Sequence, residues 1–209
     1  LYLITRTVEQ RLALVPTPPR GLRRLLAARK KVPVAAREVD GFRILGTQLT
    51  AAARTTFRDD PGRLVRCFLL AQQRGLTLHP DLAQLLRQTV NSGLVNGAFL
   101  RGADVRATFL EILNQRGNVA PALRAMHEVG LLGRLMPEFG KLTNLVQHEF
   151  YHQYAVDEHT LICLEKLDRV WDASEPPYRN YTEIFQELER PYVLYLALLL
   201  HDSGKAYPG

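Results

Sequence analysis

The chain has 209 residues, of which 46% are apolar and 23% charged, a composition typical of folded globular proteins and unlike that of disordered chains. That length accommodates one large domain or two small ones. The longest apolar run covers residues 192–200 and is far shorter than the roughly 20 residues that cross a bilayer, so no membrane partner is expected. Cys67 and Cys163 are far apart in the sequence and indicate neither a disulfide framework nor a zinc knuckle, which favours a cytoplasmic location.

Charge is divided unevenly along the chain. Residues 1–104 carry 17 Lys or Arg against 7 Asp or Glu, whereas residues 105–209 carry 10 against 14. A net charge of +10 followed by one of −4 predicts two sub-domains, or two surfaces that face different partners. Six basic residues lie within positions 20–31, but no aromatic residues or Gly-rich loop accompany them. We interpret them as a solvated helix face and expect no nucleic-acid partner, although phosphate binding by this segment stays an alternative hypothesis.

The first half of the chain predicts helices that are separated by proline and glycine. Apolar residues at intervals of three or four, with prolines and glycines between the groups, predict helices over residues 1–15, 21–31, 60–74 and 80–90. Asp60 and the proline after it indicate the N-cap and first turn of the third of these helices, and Gly75 indicates its end. Residues 39–50 contain glycine and β-branched residues, which predict a short hairpin or a loop.

The second half of the chain also predicts helices. They cover residues 104–117, 121–135, 156–171, 183–190 and 191–201. Asp104 is the predicted N-cap of the first of them, and Pro137 ends the second. The last helix is apolar on every side, which is typical of a helix buried in the middle of a helical domain. We therefore predict an all-α protein with at most a trivial strand, and a boundary between two regions near residues 100–120.

Two of the six histidines are distinguished by their position. His159 lies within a predicted helix, and 42 positions later His201 and Asp202 end the apolar helix. Burying such a polar pair without partners costs about 2–7 kcal/mol. A divalent cation would satisfy both groups, because imidazole nitrogen and carboxylate oxygen are ligands of zinc, manganese, iron and cobalt. His79 and His127 are instead interpreted as structural or solvent-facing residues.

Short motifs around these histidines resemble a known superfamily. His159, together with LLLHDSGK at residues 198–205, resembles the H…HD…D pattern of the HD phosphohydrolase superfamily. A narrower resemblance is to the bacterial PII-protein uridylyltransferase/uridylyl-removing enzyme family, whose HD-domain signature is similar to QHEFYHQYAVDEHTL at residues 147–161. That family's linker into the HD domain resembles FLEILNQRGNV at 109–119 and MHEVGLLGRLMPEF at 126–139, and the helix after its nucleotidyltransferase domain resembles RTVEQRL at 6–12.

The resemblance implies a fold and a function. It implies a helical connector over residues 1–104, which follows a nucleotidyltransferase domain, and an HD-domain region over residues 105–209 that is incomplete at its C-terminus. In that family the HD domain removes UMP from a PII signalling protein by hydrolysis. His159, His201 and Asp202 match its metal ligands, and the final Asp of the pattern would follow residue 209. The expected cofactor is a divalent metal (Mn, Mg, Fe or Zn). The expected partners are a PII-like signalling protein or a nucleotide substrate, and neighbouring domains.

The same resemblance predicts roles for residues near the metal ligands. A divalent cation lowers the pKa of coordinated water and so supplies a nucleophile for phosphodiester hydrolysis. Lys205 is predicted to offset charge on the phosphoryl oxygens, and His152 to protonate the leaving oxygen, with a packing role as its alternative. Asp157 or Glu158 is predicted to orient His159, and an N-cap role is the alternative for Asp157. Two other functions stay open: an HD nucleotidase that acts on free nucleotides, and a non-catalytic helical module with a degenerate HD site that couples neighbouring domains.

Overall fold

A computed structural model of the chain describes residues 38–143, 145 and 155–207. Helices account for most of these residues, and a small four-stranded sheet accompanies them. The all-α prediction is therefore confirmed, with the sheet as a minor element. The helices predicted over residues 1–15 and 21–31, including the basic cluster of the second one, lie outside the described residues.

The sheet contains a hairpin that the sequence predicted as one of two alternatives. Its strands are β1 (Glu38–Val39), β2 (Phe42–Leu45), β3 (Gln48–Ala51) and β4 (Thr77–Leu78). The first three strands pair antiparallel in chain order, and β4 pairs parallel with β3. Asp40 and Gly41 connect β1 to β2 with φ angles of 50° and 75°. Two successive positive φ angles belong to a type I′ turn, for which Asp-Gly is a favoured pair, so the hairpin alternative for residues 39–50 is confirmed.

The helices follow the predicted order closely. They are α1 (Thr56–Asp59), α2 (Arg63–Gln73), α3 (Pro80–Asn91), α4 (Gly97–Arg101), α5 (Ala103–Leu113), α6 (Ala120–Glu128), α7 (Leu132–Leu135), α8 (Pro137–Gly140), α9 (Val156–Asp168), α10 (Arg179–Glu187) and α11 (Pro191–Leu200), and a 3-10 turn (Ser203–Ala206) follows. The helix predicted over residues 183–190 begins earlier, as α10, and the one predicted over residues 156–171 ends earlier, as α9. None of the described helices is both long and apolar enough to span a membrane.

Two predicted N-caps are displaced. The N-cap of α2 is Gly62, so the N-cap prediction for Asp60 is wrong. The carboxylate of Asp60 instead accepts a hydrogen bond from the Gly62 backbone N–H at 3.0 Å and closes the turn before the helix. Asp104 lies in the first turn of α5, whose N-cap is Gly102, so this N-cap prediction is also wrong. A negative charge in the first turn still stabilises a helix through its dipole.

The helix predicted over residues 121–135 is divided into α6 and α7. Gly130, which lies between them, has a φ angle of 81°, a left-handed conformation that glycine adopts without strain and that ends a helix. The apolar periodicity continues across the break, since Leu123, Met126 and Leu132 are all fully buried. The prediction of one continuous helix is therefore wrong. The sequence pattern did not reveal the break, because the buried apolar residues of both helices continue one periodicity.

Helix α11 is apolar along its length but is not buried on every side. Tyr195 and Leu199 are fully buried, whereas Val193 and Leu194 are 52% and 36% exposed. The helix packs against α5, α8 and α9, and these cover only part of its circumference within the described residues. The prediction of a helix buried all round is therefore wrong.

One hydrophobic core runs from the sheet to α11. Its fully buried residues include Phe42 in β2, Leu64 in α2, Ile112 in α5 and Leu164 in α9. Helix α2 packs against α5 and α6, and α9 packs against α6 and α11. The division of the chain into a connector and an HD-domain region stays a prediction.

A buried carboxylate joins three of these helices. Asp168, the last residue of α9, accepts hydrogen bonds from the N–H groups of Val119 at 3.1 Å and Ala120 at 2.7 Å, at the start of α6. Tyr195 of α11 donates its hydroxyl to the same carboxylate at 2.6 Å. Burial raises the pKa of Asp168, while these three hydrogen bonds act in the opposite direction. The contact holds α9 between α6 and α11.

Candidate metal centre

Two histidines from separate helices lie side by side. His159 is in the first turn of α9, and His201 is the C-cap residue of α11. Because α9 packs against α11, the centroids of the two imidazole rings are 5.8 Å apart, with an angle of 48° between the ring planes. The structure therefore brings together two imidazoles that are 42 positions apart in the sequence, which is the first requirement for a shared metal ion.

The ring of His201 is oriented by the backbone. Its Nδ1 lies 2.7 Å from the carbonyl oxygen of Leu198. Since a carbonyl oxygen only accepts hydrogen bonds, Nδ1 must carry the proton of the neutral imidazole. The lone pair then resides on Nε2, which is the arrangement of many metal-binding histidines whose other nitrogen donates to a backbone carbonyl.

Asp202 contributes a buried oxygen that has no hydrogen-bond partner. Its Oδ1 lies 3.0 Å from the Nζ of Lys205, whereas Oδ2 is buried without a hydrogen bond among the described residues. This Oδ2 lies 3.3 Å from Nε2 of His201. With Nδ1 protonated, both atoms are acceptors, so they repel each other unless a proton or a cation lies between them. Two ligands of a tetrahedral zinc ion, with bonds of about 2.0–2.2 Å, lie about 3.3–3.6 Å apart, so the pair fits a shared cation.

Cys163 belongs to the same cluster, although the sequence analysis did not select it. It lies one turn after His159 on α9, and its Sγ is 3.6 Å from the Nε2 of His159. The potential ligand atoms of His159, Cys163 and His201 all lie within 4.8 Å of one another. Burial raises the pKa of Cys163; Lys166 lowers it, and Asp202 raises it further. The sequence did contain a signal for this contact. Cys163 follows His159 by four positions, and residues four apart share one face of a helix.

The two acidic residues before His159 make contacts toward α6. Asp157 is 5% exposed, and its Oδ2 lies 3.3 Å from the Nε2 of His127. Glu158 lies 3.0 Å from the guanidinium of Arg124. The N-cap of α9 is Ala155, so the N-cap alternative for Asp157 is wrong. A role for either carboxylate in orienting the histidine of α9 stays a prediction.

The two residues predicted to assist catalysis are placed only in part. Lys205 lies in the 3-10 turn after α11, and its ammonium contacts the carboxylate of Asp202. The carboxylate of Asp202 therefore contacts both the ammonium of Lys205 and the imidazole of His201. His152 lies outside the described residues. The catalytic roles of both residues stay predictions.

A polar contact attaches the end of the described chain to α8. The hydroxyl of Tyr207 donates to the carboxylate of Glu138 at 2.5 Å, and Lys141 contacts both groups. Two hydrogen bonds lower the pKa of Glu138, of which the one from Tyr207 has the larger effect and the one from Lys141 the smaller. No sequence pattern predicted a role for these residues, since nothing in their spacing indicates that they meet. The contact restrains the segment that follows His201 and Asp202.

A cavity of about 450 Å³ lies apart from this cluster, between α2, β4, α3 and α6. Gln72, Arg87 and Arg124 contribute polar groups to its wall. The side-chain amide of Gln72 donates to the carbonyl oxygens of Ile112 and Asn118. None of the predicted metal ligands lines this cavity, so it is separate from the candidate metal centre.

The fold and the cluster together define a class of protein: a helical domain with a candidate divalent-metal centre. Two packed helices supply the cluster of two imidazoles and a thiol. The carboxylate of Asp202 contacts the second imidazole, but among the described residues it does not belong to that cluster. This donor set is chemically suited to a transition metal.

Three relatives of the chain and one family model are similar to it and indicate the same kind of enzyme. Residues 42–135, from β2 to the end of α7, match the family model described as uridylyltransferase GlnD third domain. Three relatives are each named bifunctional uridylyltransferase/uridylyl-removing enzyme. They come from Rhodopseudomonas palustris (31% identity over 99% of this chain), Novosphingobium aromaticivorans (33% over 83%) and Bradyrhizobium diazoefficiens (31% over 91%). The chain spans about a fifth of the length of these relatives, 22%, 19% and 21% respectively.

These similarities confirm the coarser part of the predicted resemblance: the homologues of the chain are uridylyltransferase/uridylyl-removing enzymes. The match to the family model ends before the residues of the candidate metal centre. The match to the Rhodopseudomonas palustris protein covers nearly the whole chain. Membership of the HD superfamily stays a prediction.

Proposed function

We propose that the chain is part of a uridylyltransferase/uridylyl-removing enzyme and carries residues of its metal-dependent phosphodiester hydrolase, which removes UMP from a PII-like regulatory protein. The observation that carries this proposal is the contact of His201 Nε2 with Asp202 Oδ2 at 3.3 Å, next to His159, in which Oδ2 is buried and has no hydrogen bond among the described residues. The names of the relatives include a uridylyl-removing activity, which is the hydrolytic half of such a function.

In this proposal His159, His201 and Asp202 hold the divalent cation (Mn, Mg, Fe or Zn). Once bound, the cation supplies Lewis acidity and an activated water for attack on phosphorus. The hydrogen bond from His201 to Leu198 holds the imidazole with its Nε2 lone pair toward the site. Lys205 restrains the carboxylate of Asp202 and adds positive charge where phosphoryl oxygens would lie.

The remaining proposed roles concern proton transfer and ring orientation. His152 is the proposed general acid that protonates the leaving oxygen of the phosphodiester. This role requires a position within hydrogen-bond reach of that oxygen. Asp157 or Glu158 supports the imidazole of His159 by accepting from its second nitrogen.

Metal analysis of the full 209-residue chain tests the metal site. After loading with Mn²⁺ or Zn²⁺ and removal of excess ion, the wild type should retain stoichiometric metal, and the His201→Ala variant should lose it with unchanged helical circular dichroism. His79→Asn is the matched control, because His79 caps α3 by accepting from the Asp81 N–H at 3.2 Å and asparagine is also a good N-cap. Retention of stoichiometric metal by His201→Ala would contradict the assignment.

Substrate assays distinguish the proposed reaction from the nucleotidase alternative. Because the final Asp of the pattern is expected after residue 209, the assay uses a metal-loaded enzyme that contains this chain together with its neighbouring domains, and that enzyme should release UMP from a uridylylated PII-like protein. Hydrolysis of free nucleotides, with no release of UMP from the protein, would favour the nucleotidase.

A non-catalytic coupling module is the second candidate function. The contacts of Arg124 favour it, because this α6 residue pairs with Glu158 and Glu165 of α9 at 3.0 and 2.7 Å and so joins the two helices through charge. Absence of bound metal from the correctly folded wild-type chain, after loading with each candidate cation, would support coupling over hydrolysis.

A further inference from the structure

Cys163 belongs to the cluster of potential metal ligands that contains His159 and His201. Its side chain is on the same face of α9 as His159, one turn later, and the ligand atoms of these two residues and of His201 lie within 4.8 Å of one another. From this arrangement we propose that Cys163 is a metal ligand, and that the centre therefore selects zinc over magnesium and manganese. The proposal rests on the proposed function, since it requires a cation held by His159 and His201.

The distance between sulfur and nitrogen supports shared coordination. Zinc binds thiolate sulfur at about 2.3 Å and imidazole nitrogen at about 2.0–2.1 Å, so tetrahedral geometry places these two atoms about 3.5–3.6 Å apart. The Sγ of Cys163 lies 3.6 Å from Nε2 of His159. The 3.3 Å between His201 Nε2 and Asp202 Oδ2 is also a spacing that two ligands of a tetrahedral ion adopt, but the cluster that contains Cys163 does not include Asp202.

The chemistry of the donor set determines the metal preference. Magnesium and manganese favour oxygen ligands, whereas thiolate and imidazole favour zinc and cobalt. The cluster of His159, Cys163 and His201 offers two imidazoles and one thiolate, a set of nitrogen and sulfur donors that contains no oxygen. Coordination requires the thiolate, so binding displaces the Cys163 proton to the solvent, as is usual for cysteine ligands.

The competing explanation for the contact is a simple hydrogen bond between the thiol of Cys163 and the imidazole of His159. Such a bond would use the His159 nitrogen that a metal needs and would leave the sulfur without a role in binding. The two explanations differ in one observable, which is whether sulfur is bound directly to the metal.

Cobalt spectroscopy of the full chain separates them. Co²⁺ bound by thiolate shows an intense sulfur-to-cobalt charge-transfer band in the near ultraviolet, and tetrahedral Co²⁺ shows visible d–d bands whatever its ligands. We expect both in the wild type. Cys163→Ser should lose the charge-transfer band and keep visible bands, since serine has nearly the same size. Cys67→Ala is the matched control. Cys67 is the other of the two cysteines in the chain and is fully buried in the core, so its removal should leave the charge-transfer band unchanged.

Competition between metals gives an independent measurement. Groups that only orient a metal ligand already change affinity by about 10–100-fold, so loss of the thiolate itself should weaken zinc binding at least about tenfold. Manganese binding should change little, because manganese gains little from sulfur. Cys163→Ala provides a second test of the same loss without a hydroxyl.

Each outcome decides between the proposals. A charge-transfer band in the wild type and in Cys67→Ala, absent from Cys163→Ser, supports ligation by Cys163. Cobalt binding that His201→Ala abolishes, but that shows no charge-transfer band in the wild type, overturns ligation by Cys163 and leaves the proposed hydrolase site intact. Absence of cobalt and zinc binding by the folded wild type overturns both.

Discussion

The Asp168→Ala variant should lose about 3–5 kcal/mol of unfolding free energy. The substitution removes the acceptor of three buried donors, the N–H groups of Val119 and Ala120 and the hydroxyl of Tyr195. An unsatisfied buried donor costs about 1–3 kcal/mol, so three of them set an upper limit near 9 kcal/mol. Burial raises the pKa of Asp168, which means that desolvation of the carboxylate already opposes folding. Alanine removes that desolvation cost and leaves room for water, so the net loss of unfolding free energy should be about 3–5 kcal/mol, well below the upper limit.

The Tyr195→Phe variant measures the tyrosine's share of the same contact. It removes one hydroxyl, while the carboxylate keeps its two backbone donors and the N–H of Gly117 loses the acceptor that it had at 3.3 Å. We expect a loss of about 1.5–3 kcal/mol, the usual range for a hydrogen bond to a charged group. Because both substitutions remove the same hydrogen bond, the Asp168→Ala/Tyr195→Phe double variant should lose less than the sum of the two single losses.

Urea unfolding followed by circular dichroism provides the assay. Both variants should unfold at lower urea concentration with an unchanged slope, which reports a change in stability at constant exposed surface. Tyr181→Phe is the control, because this side chain is 59% exposed and surface changes stay within about 0.5 kcal/mol. A loss below about 1 kcal/mol for Asp168→Ala, or strict additivity in the double variant, would refute the role of this carboxylate in holding α9 to α6 and α11.

Two further predictions concern the close contact between α7 and α8 and the carboxylate in the turn of the hairpin. A methyl group at Gly140 would lie 2.6 Å from the carbonyl oxygen of Gly133, so Gly140→Ala should cost about 1–3 kcal/mol in thermal unfolding, whereas Gly204→Ala, with no atom within 4 Å of its Cβ, should be neutral. Burial raises the pKa of Asp40, but hydrogen bonds from Arg66 and a second arginine bring it below the ordinary 3.8. Its stabilising contribution is therefore present above that value and is lost as pH falls through the folded-state pKa. The difference in unfolding free energy between wild type and Asp40→Asn should stay constant from pH 7 to 5 and shrink in stronger acid; a difference that widens there would contradict the ion pair.

Local signals in the sequence predicted most of the elements. Proline at the first turn of α3 and Asp-Gly between β1 and β2 act within three or four residues, so their structural effect can be inferred without the rest of the fold. The pattern formed by His159, His201 and Asp202 predicted that two separate helices supply neighbouring side chains. The structure places His159 beside His201 and His201 beside Asp202, and their role as metal ligands stays a prediction.

The predictions failed where the deciding contact involves a distant segment. The break at Gly130 is hidden because α6 and α7 both direct apolar residues to one core. Helix α11 is uniformly apolar, and only the positions of α5, α8 and α9 determine which of its residues are covered. The N-cap alternative for Asp157 failed for a different and local reason, since α9 begins one residue before it.

The sequence by itself thus determined the helical class of the protein and the order of most of its helices, and it left a hairpin as one of two alternatives for residues 39–50, because propensity and turn chemistry act over a few residues. Only the tertiary structure placed Cys163 against His159 and His201, left one oxygen of Asp202 buried without a hydrogen bond among the described residues, and brought the hydroxyl of Tyr195 to the carboxylate of Asp168. Those contacts depend on how α9 packs between α6 and α11, and the packing of helices from separate parts of the chain follows from the complementarity of whole surfaces rather than from any local pattern.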